Sequence, residues 1–226
     1  MLLAHDANDV CFIGITGMGG IGKATLAKLV FDKIFHHFQV HCFLANVREV
    51  CARGRTLVGL QGQLLFPILK ERIEEIWDED CRSKLTKKCL CNKKVLLILD
   101  DVDELRQLEV LAGNQSWFGM GTRIIITTRN EGLLVQHGIA KSYKVEGLNY
   151  GGAVELFSLN AFRKDQPDEE FLELSERLLN YAKGLPLVLK VLGSFLYTRG
   201  QYAWNSELDN LYKIPNQQIF YSLKVS

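Results

Sequence analysis

The chain has 226 residues, with 27 Lys plus Arg against 26 Asp plus Glu and a formal net charge of +1 at pH 7. That balance argues against a dedicated nucleic-acid binder, which carries a clear basic excess, and no apolar run reaches the roughly 18 residues of a membrane span. Hydrophobic residues at 47% and charged residues at 23% are enough to build a full core, as one large domain or two small ones.

The N-terminus, Met1 to Val10, carries His5, Asp6 and Asp9 and lacks the basic-then-apolar order of a signal peptide. The six cysteines, Cys11, Cys42, Cys51, Cys81, Cys89 and Cys91, form no C-x-x-C pair. Cys11 and Cys42 sit in apolar runs, where Cys behaves as a small hydrophobe. Cys89-Leu90-Cys91 has the wrong spacing for zinc. A reduced, intracellular protein without a disulfide framework is expected.

Val10 to Ile15 is nearly all apolar and predicts a buried strand. A glycine-rich loop follows, then a helix from about Gly22 whose apolar face carries Leu26, Leu29, Val30 and Ile34. Val40 to Val47 predicts a second strand. Leu57 to Trp77 predicts a helix through Leu60, Leu64, Ile68, Ile73 and Ile76, broken or kinked at Pro67. Val95 to Leu99 is a third strand running into Asp100-Asp101, Thr122 to Thr128 a fourth, and Lys141 to Glu146 a weaker fifth. Strands apolar on both faces and separated by helices predict an α/β fold, a parallel sheet flanked by helices. Such sheets bind ligands at the carboxyl ends of their strands.

Beyond about residue 148 the pattern becomes helical. Gly151 to Phe162, Asp168 to Ala182 with its stripe of Phe171, Leu174, Leu178 and Tyr181, Leu187 to Leu196, and a segment marked by Trp204, Leu208 and Leu211 predict four helices. Lys183-Gly184 fits a helix C-cap and Pro186 a new helix start. An α/β domain over residues 1–148 and a small all-helical subdomain over 149–226 are therefore expected, joined near Gly147 to Gly152.

Gly17, Met18, Gly19, Gly20, Ile21, Gly22 and Lys23 lie between a strand and a helix, the context a phosphate loop needs. Glycines let the backbone curl its N–H groups toward an anion, the helix N-terminus adds partial positive charge, and Lys23 reaches the terminal phosphates. The motif continues with a Mg²⁺-binding hydroxyl, but this chain has Ala24, followed by Thr25. Gly17, Gly19 and Gly22 also satisfy a dinucleotide-binding fingerprint; that reading gives no role to Lys23 or to Asp100-Asp101.

A buried strand ending in acids can present Asp100 to a nucleotide's Mg²⁺ through water, with Asp101 orienting or deprotonating an attacking water. The same pair would also suit capping of the next helix. Arg129, just past the fourth strand, fits a contact with a terminal phosphate, or an exposed pair with Glu131. His36, His37 and His41 lack a carboxylate or Cys partner at ligand spacing and read as a solvated helix end. Trp77, Trp117 and Trp204 read as packing residues.

These motifs together resemble the NB-ARC nucleotide-binding module of plant disease-resistance proteins. The phosphate loop, Phe43 to Glu49, Leu96 to Asp103, Gly121 to Arg129 and Gly184 to Leu187 match its motifs in order, from Val10 to Ser226. Asp103, with Phe43 to Glu49, resembles the subclass that carries an N-terminal TIR domain. The resemblance implies a switch that holds ADP at rest and ATP when active and oligomeric, with Mg²⁺ as metal. It implies that Pro186 approaches the adenine and that Arg129 senses the nucleotide. It also implies TIR and leucine-rich-repeat partner domains, self-association, at most a slow ATPase activity, and a cytoplasmic or nucleocytoplasmic location. A slow NTP hydrolase, or a degenerate fragment acting only through protein contacts, are the other readings.

Ala24 replaces the family's Mg²⁺-binding Thr, a loss on the order of 1.5–3 kcal/mol for one hydrogen bond to a charged centre. ADP binding is expected to suffer less than Mg²⁺-dependent ATP binding or hydrolysis. Only Leu2-Leu3 stands for the segment that precedes the first strand in the family. Leu223 to Ser226 resembles the entrance to a winged-helix subdomain. A truncated core of the switch is the expectation.

Overall fold

In the computed structural model, which describes residues 8–53, 57–69 and 78–213, the five apolar runs form five strands. They are β1 (Cys11–Thr16), β2 (Val40–Leu44), β3 (Val95–Val102), β4 (Arg123–Thr128) and β5 (Lys141–Lys144). Their order is β2-β3-β4-β1-β5, and every pairing is parallel. The central strands β1 and β4 are buried at every position, as continuous apolar runs require. The edge strand β2 alternates buried and more open positions, and β5 is exposed throughout. Between and around the strands run α1 (Lys23–Ile34), α2 (Val47–Ala52), α3 (Leu57–Leu69), α4 (Glu79–Leu90), α5 (Leu105–Leu111) and α6 (Glu131–Gln136). Leu96 to Leu99 have no exposed surface, and one core cluster joins Leu97, Leu99, Ile124 and Ile126 to Leu60, Leu64 and Leu108.

Several local expectations are corrected. β2 stops at Leu44 because Asn46 takes a left-handed conformation, φ +51°, and starts α2 where a continuing strand was expected. β3 runs through both aspartates to Val102, with a break in register between Leu99 and Val102. The buried face of α1 is Lys23, Ala27 and Ile34, while Leu29 is 63% exposed. Ala27 is fully buried, and Leu26 and Val30 are half-buried beside it, so of the expected apolar face only Leu29 turns outward. Pro67 does not end α3, which continues to Leu69. A proline inside a helix gives up one backbone hydrogen bond and crowds the carbonyl four residues back, at a cost of about 3 kcal/mol. Ile73, Ile76 and Trp77 lie outside the described residues, as do Leu2-Leu3, His5, Asp6 and Leu223 to Ser226. The helix α4, capped by Asp78 accepting from the Cys81 N–H at 2.9 Å, has no apolar stripe strong enough to announce it.

The chain forms two compact units by contact: residues 1–17 with 23–144, and residues 18–22 with 145–226. The second consists mainly of α7 (Tyr150–Ala161), α8 (Leu172–Ala182), α9 (Pro186–Leu196) and α10 (Gln201–Lys213). Its core is mainly Leu, Val and Ala, with one aromatic cluster set into it. Trp204 is 1% exposed and meets Phe157, Phe162 and Phe171 at 5.8, 5.4 and 4.8 Å between ring centroids, and its indole N–H donates to the Leu196 carbonyl. Lys183 and Gly184, at φ +47° and +71°, turn the chain between α8 and α9. A side chain at Gly184 would sit 2.4 Å from the Leu148 carbonyl, so glycine is required there. Asn149 caps α7 by accepting from the Gly152 N–H at 2.9 Å. Asn149→Ala is expected to lower unfolding stability by about 1 kcal/mol, read by urea denaturation; an unchanged midpoint would discount the cap.

All six cysteines are free. His41 lies against Phe31 and Phe35, and the His36 and His37 rings are 4.0 Å apart. Among the described residues no group of three or more His, Cys, Asp or Glu could hold a metal ion. Nor is any helix among them long and apolar enough to cross a membrane.

Candidate functional site

The glycine loop leaves the carboxyl end of β1 and enters α1. Gly17, Gly20 and Gly22 have φ of +146°, +74° and +98°, conformations that disfavour any side chain. No atom lies within 4 Å of where a Gly22 side chain would begin, so the loop is open on that side. Lys23 is the first residue of α1 and is 7% exposed. Its Nζ donates to the Gly17 carbonyl at 2.9 Å, across the base of the loop. Burial pushes the Lys23 ammonium down from its ordinary 10.5 to about 8. The nearby Arg129 charge adds to that, Asp101 and Asp100 oppose it, and Arg48 contributes a smaller downward push.

The carboxyl end of β3 supplies the acids. Asp100 is 4% exposed; its Oδ1 accepts from the Thr127 hydroxyl at 2.7 Å and its Oδ2 from the Asn46 N–H at 3.4 Å. The same Thr127 oxygen accepts from the Asp101 N–H at 2.8 Å, so one hydroxyl ties both aspartates. Asp101 has φ +56°, a sparsely populated conformation for a residue other than glycine. Its Oδ2 accepts from Arg48 Nε at 2.7 Å, and its Oδ1 lies 3.4 Å from Arg129 Nε. Asp100 and Asp101 therefore do not cap α5; that role falls to Glu104 and Gln107.

Gly17, Lys23, Asp100, Asp101 and Arg129 come together in the sheet unit, with Arg48 beside them. Met18, Ile21 and Pro186 belong to the helical unit. There Met18 is 56% exposed, Ile21 is buried in the helical core, and the Gly20 carbonyl accepts from the Leu187 N–H at 3.2 Å. Pro186 is at the first turn of α9. Ala24 and Thr25 are exposed on α1. Arg48 escaped the reading of the sequence as a site residue. It stands inside the Phe43 to Glu49 motif, but a lone arginine after an apolar strand carries no signal until the fold places it against Asp101.

Three cations, Lys23, Arg48 and Arg129, lie together with the aspartate pair in the sheet unit, and such a group suits the phosphates of a nucleotide. Lys23 and Arg129 would hold those phosphates. Magnesium fits less well. Asp100 is already hydrogen-bonded on both oxygens and position 24 offers no hydroxyl. The ion would lean on water and phosphate oxygens, which Mg²⁺ tolerates.

The profile of the NB-ARC domain matches residues 1–167. Disease resistance protein RPV1 of Vitis rotundifolia is 42% identical over 222 residues, covering 98% of this chain and 16% of that protein. TMV resistance protein N of Nicotiana glutinosa is 39% identical over 232 residues, covering 100% of this chain and 20% of that protein. The chain thus spans a fifth or less of the length of either relative. The structure of a point variant of Thermotoga maritima RuvB superposes with a TM-score of 0.50 at 11% identity, over 92% of this chain and 63% of that one, a likeness of fold alone. With the glycine loop, the paired aspartates and Arg129 in the order the motifs require, and the domain profile covering most of the sequence, the chain belongs to the NB-ARC domain family.

Proposed function

We propose that this chain is the ADP/ATP-binding switch module of a plant disease-resistance protein acting in innate immune signalling. The observation that carries the reading is the buried Lys23 ammonium at the base of the glycine loop, electrostatically coupled to Asp100, Asp101 and Arg129. Residues Gly17 to Lys23 hold the phosphates, Arg129 reads the terminal phosphate and Pro186 packs toward the adenine. Asp100 would hold Mg²⁺. Mg²⁺, when bound, neutralises phosphate charge. Residues 1–148 form the nucleotide-binding domain and 149–226 the helical subdomain of the switch. TIR and leucine-rich-repeat domains and further copies of the module are its partners, in the cytoplasm or between cytoplasm and nucleus.

Ala24 favours a module that retains ADP and turns over Mg²⁺-ATP slowly at most. The test is to purify the chain, denature it and identify released nucleotide, with Lys23→Ala as control. Near-stoichiometric ADP in the native chain alone supports the switch. Equal, near-zero release from both samples, followed by no uptake of added ADP, would falsify it. Turnover of Mg²⁺-ATP at enzyme-like rates would instead make the chain a hydrolase.

The lowered Lys23 value gives two pH dependences of opposite sign. Bound phosphate favours the protonated amine. Below about pH 8 the amine is already charged and adds no pH dependence to ADP affinity. Above it, each binding event takes up a proton and affinity falls, by up to about tenfold per pH unit. Stability of the nucleotide-free chain moves the other way. Between about 8 in the folded chain and 10.5 in the unfolded one, the unfolded chain binds more protons, so stability rises with pH across that window. Calorimetric ADP titrations and urea midpoints at pH 7, 8 and 9 check both. A stability rise that persists in Lys23→Met would assign it to another group.

A further inference from the structure

Asp101 is a fixed acceptor. Its backbone takes a left-handed conformation within β3, its N–H is tied to Thr127, and Thr127 is in turn tied to Asp100. Two guanidiniums reach this one carboxylate from different elements, Arg48 from α2 at 2.7 Å on Oδ2 and Arg129 from the end of β4 at 3.4 Å on Oδ1. The side chains of Arg48, Asp101 and Arg129 keep 29%, 20% and 27% of their surface exposed, so a ligand can reach all three. The Asn46 turn, whose N–H contacts Asp100, sets where α2 begins and therefore where Arg48 stands.

On the reading that the chain binds ADP and ATP, we infer that Arg48 is a positioning residue for Arg129: by sharing the Asp101 carboxylate, it sets how readily Arg129 leaves Asp101 for a third phosphate, and so helps set the preference between di- and triphosphate. The reason is electrostatic competition. A carboxylate that serves two cations holds each less firmly than it would hold one. The shorter contact belongs to Arg48, which leaves Arg129 on the longer and weaker one. With Arg48 gone, Asp101 turns its whole charge on Arg129 and withholds it from the terminal phosphate. ADP offers no third phosphate, so the effect appears in the ATP:ADP affinity ratio.

The experiment measures ADP and ATP dissociation constants at fixed Mg²⁺ and pH 7 for the native chain, Arg48→Gln, Arg48→Lys, Asp101→Asn and the Arg48→Gln/Asp101→Asn double variant. Near-UV circular dichroism verifies the fold of each. The ATP:ADP affinity ratio is expected to fall about fivefold in Arg48→Gln, the coupling of a partly exposed ion pair, and to recover in part in Arg48→Lys. Asp101→Asn, which keeps a residue tolerant of the left-handed conformation, is expected to raise the ratio, and the double variant to match Asp101→Asn. An unchanged ratio in a folded Arg48→Gln overturns the inference. So does an equal loss in the Asp101→Asn background, which would make Arg48 a direct phosphate contact. If Arg48→Gln fails to fold, Arg48→Lys decides in its place, with an unchanged ratio again counting against. A native chain that binds neither nucleotide refutes the switch reading itself and the inference with it.

Discussion

Lys23→Ala is expected to weaken ADP and ATP binding by about a hundredfold or more, because it removes a buried, charge-assisted contact to the phosphates. Lys23 is the cation that sits on the loop itself, 7% exposed and 2.9 Å from the Gly17 carbonyl. Arg129 and Arg48 approach the site from other elements and are already engaged with Asp101. Folding stability is expected to move oppositely. Burial holds the ammonium at about 8, so the charged side chain opposes the nucleotide-free fold at pH 7. Removing it costs binding without lowering the urea midpoint. That pairing separates loss of a ligand contact from simple unfolding. Nucleotide affinity within about threefold of the native chain would shift the binding role to the arginines. A collapsed midpoint would make Lys23 a structural residue.

Ala24→Thr is expected to raise Mg²⁺-dependent ATP affinity by about ten- to hundredfold, equivalent to restoring one hydrogen-bonding ligand to a charged centre, on the order of 1.5–3 kcal/mol. Position 24 is the second residue of α1 and is exposed, so a threonine fits without repacking. Thr25 is no substitute, since one residue along a helix turns a side chain by about 100°. The gain must vanish in EDTA, because the added hydroxyl acts through the ion. ADP affinity without Mg²⁺ should stay unchanged. Threonine also lowers helix propensity by several tenths of a kcal/mol, so a small fall in thermal stability accompanies the gain. Equal ATP affinity with and without the substitution at saturating Mg²⁺ would show that the missing hydroxyl is not what limits this site.

The parallel sheet was legible because its central strands are continuous apolar runs. The loop was legible because strand, glycines, lysine and helix follow in register. Asp100 and Asp101 were singled out by position, at the end of a buried apolar strand. Their partners were not. Thr127 lies 27 residues from Asp100, and Arg48 lies 53 from Asp101. No local pattern encodes either contact. One position of α1 was misjudged: hydrophobicity placed Leu29 inward, but Ala27 is buried and Leu29 exposed, while Leu26, Val30 and Ile34 keep the expected face.

Periodicity, glycine spacing and chain order thus carried the architecture, the glycine loop and the family, since each depends on residues near one another along the chain. Which cation faces which carboxylate was left to the folded state. Strand register brought Thr127 beside Asp100, and two left-handed residues, Asn46 and Asp101, aimed α2 and the second carboxylate at each other. Such pairings arise from packing between elements distant in sequence, where a shift of a few ångströms exchanges one ion pair for another.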